Sequence, residues 1–233
     1  MVNAVRHLGI IMDGNRRWAK KNKMETILQG HQRGGDTLIN VCRWCKWNQI
    51  PYLTVYAFST ENWNRTEKEI SGLFKLMESF FNERMDEVIR EGVNVNVIGD
   101  LRRLPEDSKA IIRNAEQASK DCDALRLNIA MSYGGRDELL RAVRQCAAEV
   151  RSGSLRPEDI TESVFESYLD TKGCPDMDMV IRTGGYHRLS NFFPWQTVYS
   201  EIYFTDVLWP DFSYDDFCAA LRHYEEVTIN KGK

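Results

Sequence analysis

The chain has 233 residues, of which 42% are hydrophobic and 28% charged, with a formal net charge of −3. So large an apolar share at so low a net charge excludes a disordered chain and supports a substantial core. The slight acidity excludes a general nucleic-acid binder, which needs a basic excess or a basic face.

Six segments rich in β-branched or aromatic residues read as strands: 7–12, 52–58, 93–99, 125–131, 177–182 and 201–207. Between them, helical spacing predicts helices over about 31–48, 68–91, 105–120, 136–151, 156–169 and 214–227. Strand alternating with helix predicts an α/β fold, with a largely parallel six-stranded sheet flanked by helices. No linker, repeat or low-complexity tract divides the sequence, so one domain spanning 1–233 is expected. The six cysteines are scattered from 42 to 218, as in a reduced cytosolic protein. Cys42 and Cys45 form a C-x-x-C inside helical spacing, with no second ligand pair to complete a zinc site. The opening "MVNAVRHLGIIMDGN" reaches Asp13 before any signal-type apolar region, and no run approaches the ~20 apolar residues of a membrane span. A cytoplasmic protein is expected, able to touch the inner face of a membrane.

The unusual polar residues follow the strands. "DGNRRW" follows the first, "STENWNR" the second, "GDLRR" the third, "SYGGR" the fourth and "RTGGYHRLSN" the fifth. In a parallel sheet these segments share the carboxyl edge, where such folds bind ligands. Arg16, Arg17, Arg65, Arg136, Arg182 and Arg188 bring guanidinium forks suited to phosphate, and Gly14, Gly134, Gly184 and Gly185 allow close backbone approach to an anion. Neither G-x-x-x-x-G-K-[ST] nor G-x-G-x-x-G follows a strand, so the anion is not expected to be a nucleotide. Asp13, between the first strand and the arginines, is placed to hold Mg²⁺ against a diphosphate. Glu201, at the start of the last strand, is a second metal candidate or a plain edge-strand charge. Aromatic residues crowd the same segments: Trp18, Tyr56, Phe58, Trp63, Phe192, Phe193 and Trp195. An apolar tunnel opening beside an anion site suits an amphiphile with a diphosphate head and a hydrocarbon tail.

The segments "IIMDGNRRWAKK", "GHQRGG", "YAFSTENWNR", "VNVIGD", "LNIAMSYGGRDEL" and "VIRTGGYHRLSNFFPWQTVYSEIYFTDVLWPDF" closely resemble the cis-prenyltransferase family, nearest to its bacterial undecaprenyl diphosphate synthases. The match runs from about His7 to Phe217 in family order. The resemblance implies condensation of isopentenyl diphosphate with an allylic prenyl diphosphate in Z configuration, using Mg²⁺, in a homodimer that delivers a long polyprenyl diphosphate to the membrane as a cell-wall lipid carrier. By the same resemblance, Asp13 is the catalytic aspartate and metal ligand, and Gly14, Asn15, Arg16, Arg17 and Trp18 form the allylic diphosphate loop. His31 assists with diphosphate or proton transfer. Ser59, Glu61, Asn62, Trp63 and Arg65 form the second motif, with Asn62 aiding proton loss, and Glu69 lies on a closing segment. Arg182, Arg188 and Ser190 match the isopentenyl diphosphate site, and Glu201 a glutamate tied to Mg²⁺ and subunit contacts. Ala57 and Leu125 match positions that influence tail room, and a small residue at 57 favours a long product.

The chain departs from the family pattern in four places. Tyr186 replaces an acidic residue, no arginine precedes "GH" in "METILQGH", Ser132 replaces asparagine, and "HYEEVTINKGK" lacks the basic ending that covers the isopentenyl site. These departures leave open a shorter or irregular product, or a non-catalytic partner subunit. Retention of Asp13, Asn15, Arg17, Asn62, Arg182, Arg188 and Ser190 favours catalysis.

Overall fold

A strand covered on both faces needs apolar residues at successive positions, and His7–Ile11 and Met179–Arg182 are buried along their whole length. In the computed structural model, which describes residues 4–227, these two are β1 and β5. The others are β2 (Tyr52–Ser59), β3 (Val93–Ile98), β4 (Leu125–Tyr133) and β6 (Glu201–Phe204). All pairings are parallel, in the order β3-β4-β2-β1-β5-β6. The connecting helices are α1 (Asn15–Lys21), α2 (Leu28–Trp47), α3 (Glu67–Arg90), α4 (Glu106–Ser119), α5 (Gly135–Ser152), α6 (Glu162–Glu166) and α7 (Tyr214–Glu226).

The period-two alternation of the strands divides the core. Leu8, Ile10, Leu53, Val55, Met179 and Ile181 join the larger cluster with Val41, Phe74, Phe81, Ile112 and Phe217 from the helices. Ile11, Ala130 and Val180 join a smaller cluster with Tyr133, Phe192 and Phe193. There Tyr133 stacks on Phe193 at a centroid distance of 4.0 Å. Cys42 and Cys45 are fixtures of the larger core. Burial pushes the Cys42 thiol up to about 12 and raises Cys45 as well.

β1 lies between β2 and β5, so the chain leaves it toward one side of the sheet and later returns on the other. Its carboxyl end is therefore a topological switch point, and Asp13 lies just beyond it.

Three expectations are corrected. "NRRWAKK" is helical, as α1, and not a loop. The expected helix over 156–169 is a 3₁₀ turn at Pro157–Asp159 followed by the short α6, because the chain restarts at the Thr161 cap, whose hydroxyl accepts the Val164 N–H. The "GDLRR" segment lies at the shared carboxyl edge, where the Asp100 N–H donates to the Ser132 carbonyl at 3.3 Å, but on the edge strand β3 it lines no part of the cavity beneath that edge, and Asp100 is chelated by the exposed Arg102 at 2.7 and 2.8 Å. Among the described residues, no helix is long and apolar enough to cross a membrane. The atypical basic ending concerns residues that extend beyond 227, outside the described range.

Candidate functional site

The turn after β1 is fixed before its side chains act. The Asp13 N–H donates to the Thr183 hydroxyl at 3.0 Å, and that hydroxyl donates to the Asp13 carbonyl at 2.7 Å. The Trp209 N–H donates to the same carbonyl at 3.1 Å. Gly14 follows at φ 119°, a left-handed backbone in which a side chain would also meet the Leu208 Cα at 2.9 Å. The loop after β5 comes close enough that a Cβ on Gly184 would lie 2.4 Å from Arg17 Nη2. Glycine at 184 is what lets Arg17 reach Asp13.

With the backbone so held, the Asp13 carboxylate lies between two cations. Arg17 Nη2 donates to Oδ1 at 3.0 Å and Arg182 Nη2 to Oδ2 at 2.9 Å. Arg182 is 3% exposed. Its Nη1 donates to the Ser190 hydroxyl at 2.7 Å and to the Arg188 carbonyl, and Arg188 Nε donates to Ser190 as well, at 3.2 Å. Tyr186 fills the centre of the group: its ring faces the guanidinium carbons of Arg17 at 4.7 Å, Arg188 at 4.3 Å and Arg182 at 5.9 Å. Cation–π attraction thus gathers arginines that would otherwise repel. Ser190, Asn191 and Phe193 all adopt positive φ, a concentration of backbone strain of the kind that surrounding structure must enforce.

A second side of the rim comes from β2 and the turn after it. The Ser59 N–H donates to Asn62 Oδ1 at 3.1 Å. Asn191 Nδ2 donates to Glu61 at 3.1 Å. Hydrogen bonds from its own backbone N–H, Ser59 and Asn191 outweigh desolvation and hold the Glu61 carboxyl below its usual range. Arg65 and Arg16 share Glu69 at 3.0 and 3.3 Å. Trp63 Nε1 donates to Ser132 at 3.0 Å, with Arg103 over its ring at 4.4 Å. Ser132 thus serves as the acceptor for this tryptophan.

Below the rim is a cavity of about 1000 Å³, at the upper end of the range for ligand pockets. Its mouth carries Asp13, Asn15, His31, Ser59, Glu61, Asn62, Arg65, Arg136, Arg182, Arg188 and Ser190, and its depth carries Leu38, Phe58, Leu73, Phe74, Met77, Phe80, Phe81, Ile129 and Met131. Polar atoms enclosed at the mouth lack partners within the chain: Asn15 Oδ1, His31 Nε2 and Arg182 Nε. Such atoms normally find a partner, so their gathering at one mouth marks a place where a polar ligand binds. His31 is lowered to about 4, first by burial and then by the Arg65 and Arg16 charges, so at neutral pH its imidazole is uncharged.

The predicted residues thus fall into a lining set and a supporting set. Gly14, Arg16, Arg17, Trp18, Trp63 and Glu69 stand outside the lining: Arg17 binds Asp13 and Glu69 binds Arg65, both lining residues, whereas Trp18 donates to Asp211 at 2.6 Å. Two are not brought to the site. Glu201 pairs with Met179 at the amino end of β6, whereas Arg182 pairs with Phe204 three residues on, so Glu201 lies ~10 Å down the sheet from the rim. Within one chain it does not share a metal with Asp13. Leu125, at the amino end of β4, is fully buried and outside the cavity lining, whereas Ala57 lines it. Sequence reasoning missed Thr183, which pins Asp13, and Asn191, which joins Glu61 to the Arg136 N–H (2.9 Å). Both adjoin residues that had been singled out, and adjacency was the available signal.

A parallel sheet with an arginine-lined rim above an apolar cavity is the architecture of an α/β enzyme that binds an anionic head beside an apolar tail. Residues 11–232 match the family model described as "Putative undecaprenyl diphosphate synthase". The isoprenyl transferase of Clostridium perfringens is 43% identical over 220 residues, 94% of this chain and 87% of that protein. Lavandulyl diphosphate synthase from Lavandula x intermedia, solved in complex with dimethylallyl diphosphate, superposes with a TM-score of 0.95 at 36% identity over 99% of both chains. A probable undecaprenyl diphosphate synthase from Campylobacter jejuni superposes at 0.83 with 33% identity, over 99% of this chain and 100% of that one. The chain belongs to the isoprenyl transferase family, the cis-prenyltransferases.

One prediction concerns pH. A histidine lowered from its ordinary 6.5 to about 4 in the fold contributes stability that is complete above pH 6.5 and is lost as pH falls toward 4. Between pH 7 and pH 5 the loss is about 2 kcal/mol. Urea unfolding at both pH values measures it: His31→Gln shows a smaller drop than the native protein, and equal drops contradict the assignment.

Proposed function

We propose that this chain condenses isopentenyl diphosphate with an allylic prenyl diphosphate, forming each new double bond in Z configuration and repeating the step to give a long polyprenyl diphosphate. The observation that carries the reading is the Asp13 carboxylate held between Arg17 and Arg182 at the mouth of a deep apolar cavity. Head and tail of one amphiphile have matching surroundings there.

In this reading Arg17, Asn15 and the uncharged His31 face the allylic diphosphate, and Arg182, Arg188 and Ser190 face that of isopentenyl diphosphate. The allylic C–O bond breaks and its electron pair leaves with the diphosphate, whose growing charge the guanidinium groups stabilise. The isopentenyl double bond forms the new C–C bond, and a proton is lost from the adjacent carbon. Asn62 is an amide and no base at neutral pH; it orients the isopentenyl group, and a diphosphate oxygen takes the proton.

Asp13 suits Mg²⁺. Its side chain is 26% exposed, and each oxygen spends one lone pair on an arginine. Among the described residues no cluster of three or more metal-ligating side chains forms, and Mg²⁺ commonly takes one or two carboxylates and completes its shell with water and phosphate oxygens. Bound there, the ion would neutralise diphosphate charge. Finer parts of the reading are farnesyl diphosphate as primer, an undecaprenyl product for cell-wall lipid carriage, delivery at a membrane and a homodimer. The strongly exposed Val198 and Tyr199 beside the edge strand β6 favour the last.

A second reading, a short or irregular prenyl product, is favoured by the 0.95 TM-score to lavandulyl diphosphate synthase. Incubation with Mg²⁺, farnesyl diphosphate and radiolabelled isopentenyl diphosphate, followed by product sizing, yields a polyprenyl series under the first reading. Dimethylallyl diphosphate as sole substrate yields product only under the second. No product in either incubation sinks both.

Asp13→Ala lowers kcat by more than about 100-fold, the loss typical of removing one electrostatic contact to the reacting charge; near-native turnover overturns its role. Tyr186→Glu sets a carboxylate among Arg17, Arg182 and Arg188, and raises or lowers KM for isopentenyl diphosphate more than KM for the allylic substrate. Equal changes in both would count against the assignment of the Arg188 side.

A further inference from the structure

β2 and β4 depart from regular pairing at their carboxyl ends. Tyr56 pairs with Ala130, Phe58 with Met131 and Ser59 with Tyr133, so Ala57 on β2 and Ser132 on β4 each stand unpaired. These are two bulges, one on each strand, and the second restores the register that the first displaces. A bulge sends the residues after it to the opposite face of the sheet. Leu53 and Val55 lie in the larger cluster, and so does Phe58, an odd interval after Val55 that plain alternation forbids. Met131 also lies in that cluster, whereas Tyr133, two residues on, lies in the smaller one. The bulge at Ala57 thus delivers Phe58 to the cavity, and the bulge at Ser132 turns Tyr133 away from it.

Ser132 is buried at φ 49°, a left-handed backbone uncommon for a residue with a side chain. Its carbonyl accepts the Asp100 N–H at 3.3 Å, and its hydroxyl accepts the Trp63 Nε1–H at 3.0 Å. Trp63 belongs to the Thr60–Asn64 turn. Its ring packs on Phe58 at 5.2 Å and Phe74 at 5.5 Å, with the Arg103 guanidinium over it at 4.4 Å. The start of the turn is held as well, since a Cβ on Gly134 would lie 2.4 Å from the Thr60 hydroxyl. Glu61 and Asn62 lie between these two points and line the mouth of the cavity.

We propose that Ser132 is a positioning residue for the reaction: the hydroxyl of this bulge holds Trp63, and through it the turn that presents Glu61 and Asn62 to the substrates. The inference rests on the prenyl-transfer reading. Asp13, Arg17, Arg182 and Arg188 are held by one another and by Ser190, not by this turn. Loss of the Ser132 hydroxyl therefore loosens the aim of Asn62 while leaving the diphosphates their partners.

Three variants separate the hydroxyl from the backbone. Ser132→Gly and Ser132→Ala both remove the acceptor, but glycine suits a positive φ and alanine does not, so Ser132→Gly resists urea better than Ser132→Ala. Both lower kcat by about 10-fold with KM for both substrates near native, because a small misplacement of an orienting group costs rate. A purely structural role would make activity follow stability, and native kcat in Ser132→Gly overturns the proposal. Trp63→Phe keeps the ring packing and lacks the N–H, so it lowers kcat to the same degree. Ser132→Gly combined with Trp63→Phe then loses no more than either alone, and losses that multiply overturn the proposal. One readout needs no turnover. The Trp63 indole N–H resonance, identified by its absence in Trp63→Phe, exchanges with solvent about 10-fold faster in Ser132→Gly than in the native protein. A native protein that consumes no isopentenyl diphosphate defeats the prenyl-transfer reading, whereas equal indole exchange in the native protein and Ser132→Gly defeats the clamp whatever the reaction.

Discussion

The Asp13 carboxylate sits between the guanidinium groups of Arg17 and Arg182, and much of the fold serves to keep it there. Arg182 ends β5, Asp13 follows β1, and these strands are neighbours only because the strand order reverses at β1. Arg17 comes from α1, whose approach requires Gly14 and Gly184. Thr183 and Trp209 fix the backbone that carries the aspartate. One carboxylate among Arg17, Arg182 and Arg188 leaves the group with surplus positive charge, the condition for attracting a multiply charged head group. Tyr186 keeps that surplus from dispersing by offering its ring face to the guanidinium groups.

The cavity follows from a second constraint. α3 is amphipathic, yet only Phe74, Phe81 and Val88 of its apolar residues are fully buried. Leu73, Leu76, Met77 and Phe80 line the cavity beside them, and Ile70 and Met85 pack against the larger core. An unfilled apolar surface of this kind destabilises a fold unless something covers it. Ion pairs of Arg84 with Asp36, of Glu87 with Arg43 and of Glu91 with Arg43 and Lys46 tie the far half of the helix to α2, while the near half is tied through Glu69 to Arg16 and Arg65. Head-group site and tail site therefore share one helix as a wall, and the chain can couple occupancy of one to closure of the other.

Much of this was legible in the sequence, and the reasons are physical. Strands buried on both faces leave apolar runs, so all six strands were locatable, and a parallel sheet puts the segments after them on one edge. Asp13, Arg182 and Arg188 could be assembled from the sequence because their strands dictate where they fall, whereas Asn62 and Ser190 were singled out by the family resemblance. What escaped was set by packing across the chain. α1 has few apolar residues and begins at a glycine in a left-handed conformation, so its pattern does not announce a helix. Glu201 shares its strand with rim residues but sits at the other end, a distinction that only register supplies. The role of Asn191 depends on a three-way meeting of β2, α5 and the segment after β5, which no local pattern encodes. Helical periodicity marks an apolar face on α3 but does not tell a face against protein from a face against a void.

The central claim is spatial: one ligand has its charged head at Asp13, Arg17 and Arg182 and its tail between α2 and α3. The direct measurement is a crystal structure with an unreactive allylic thiolodiphosphate and Mg²⁺. The account predicts phosphorus density against those three side chains and tail density descending past Phe58 and Phe74 toward Phe80. A head group bound elsewhere, or a tail lying along the outer surface of the sheet with the cavity unfilled, would contradict it.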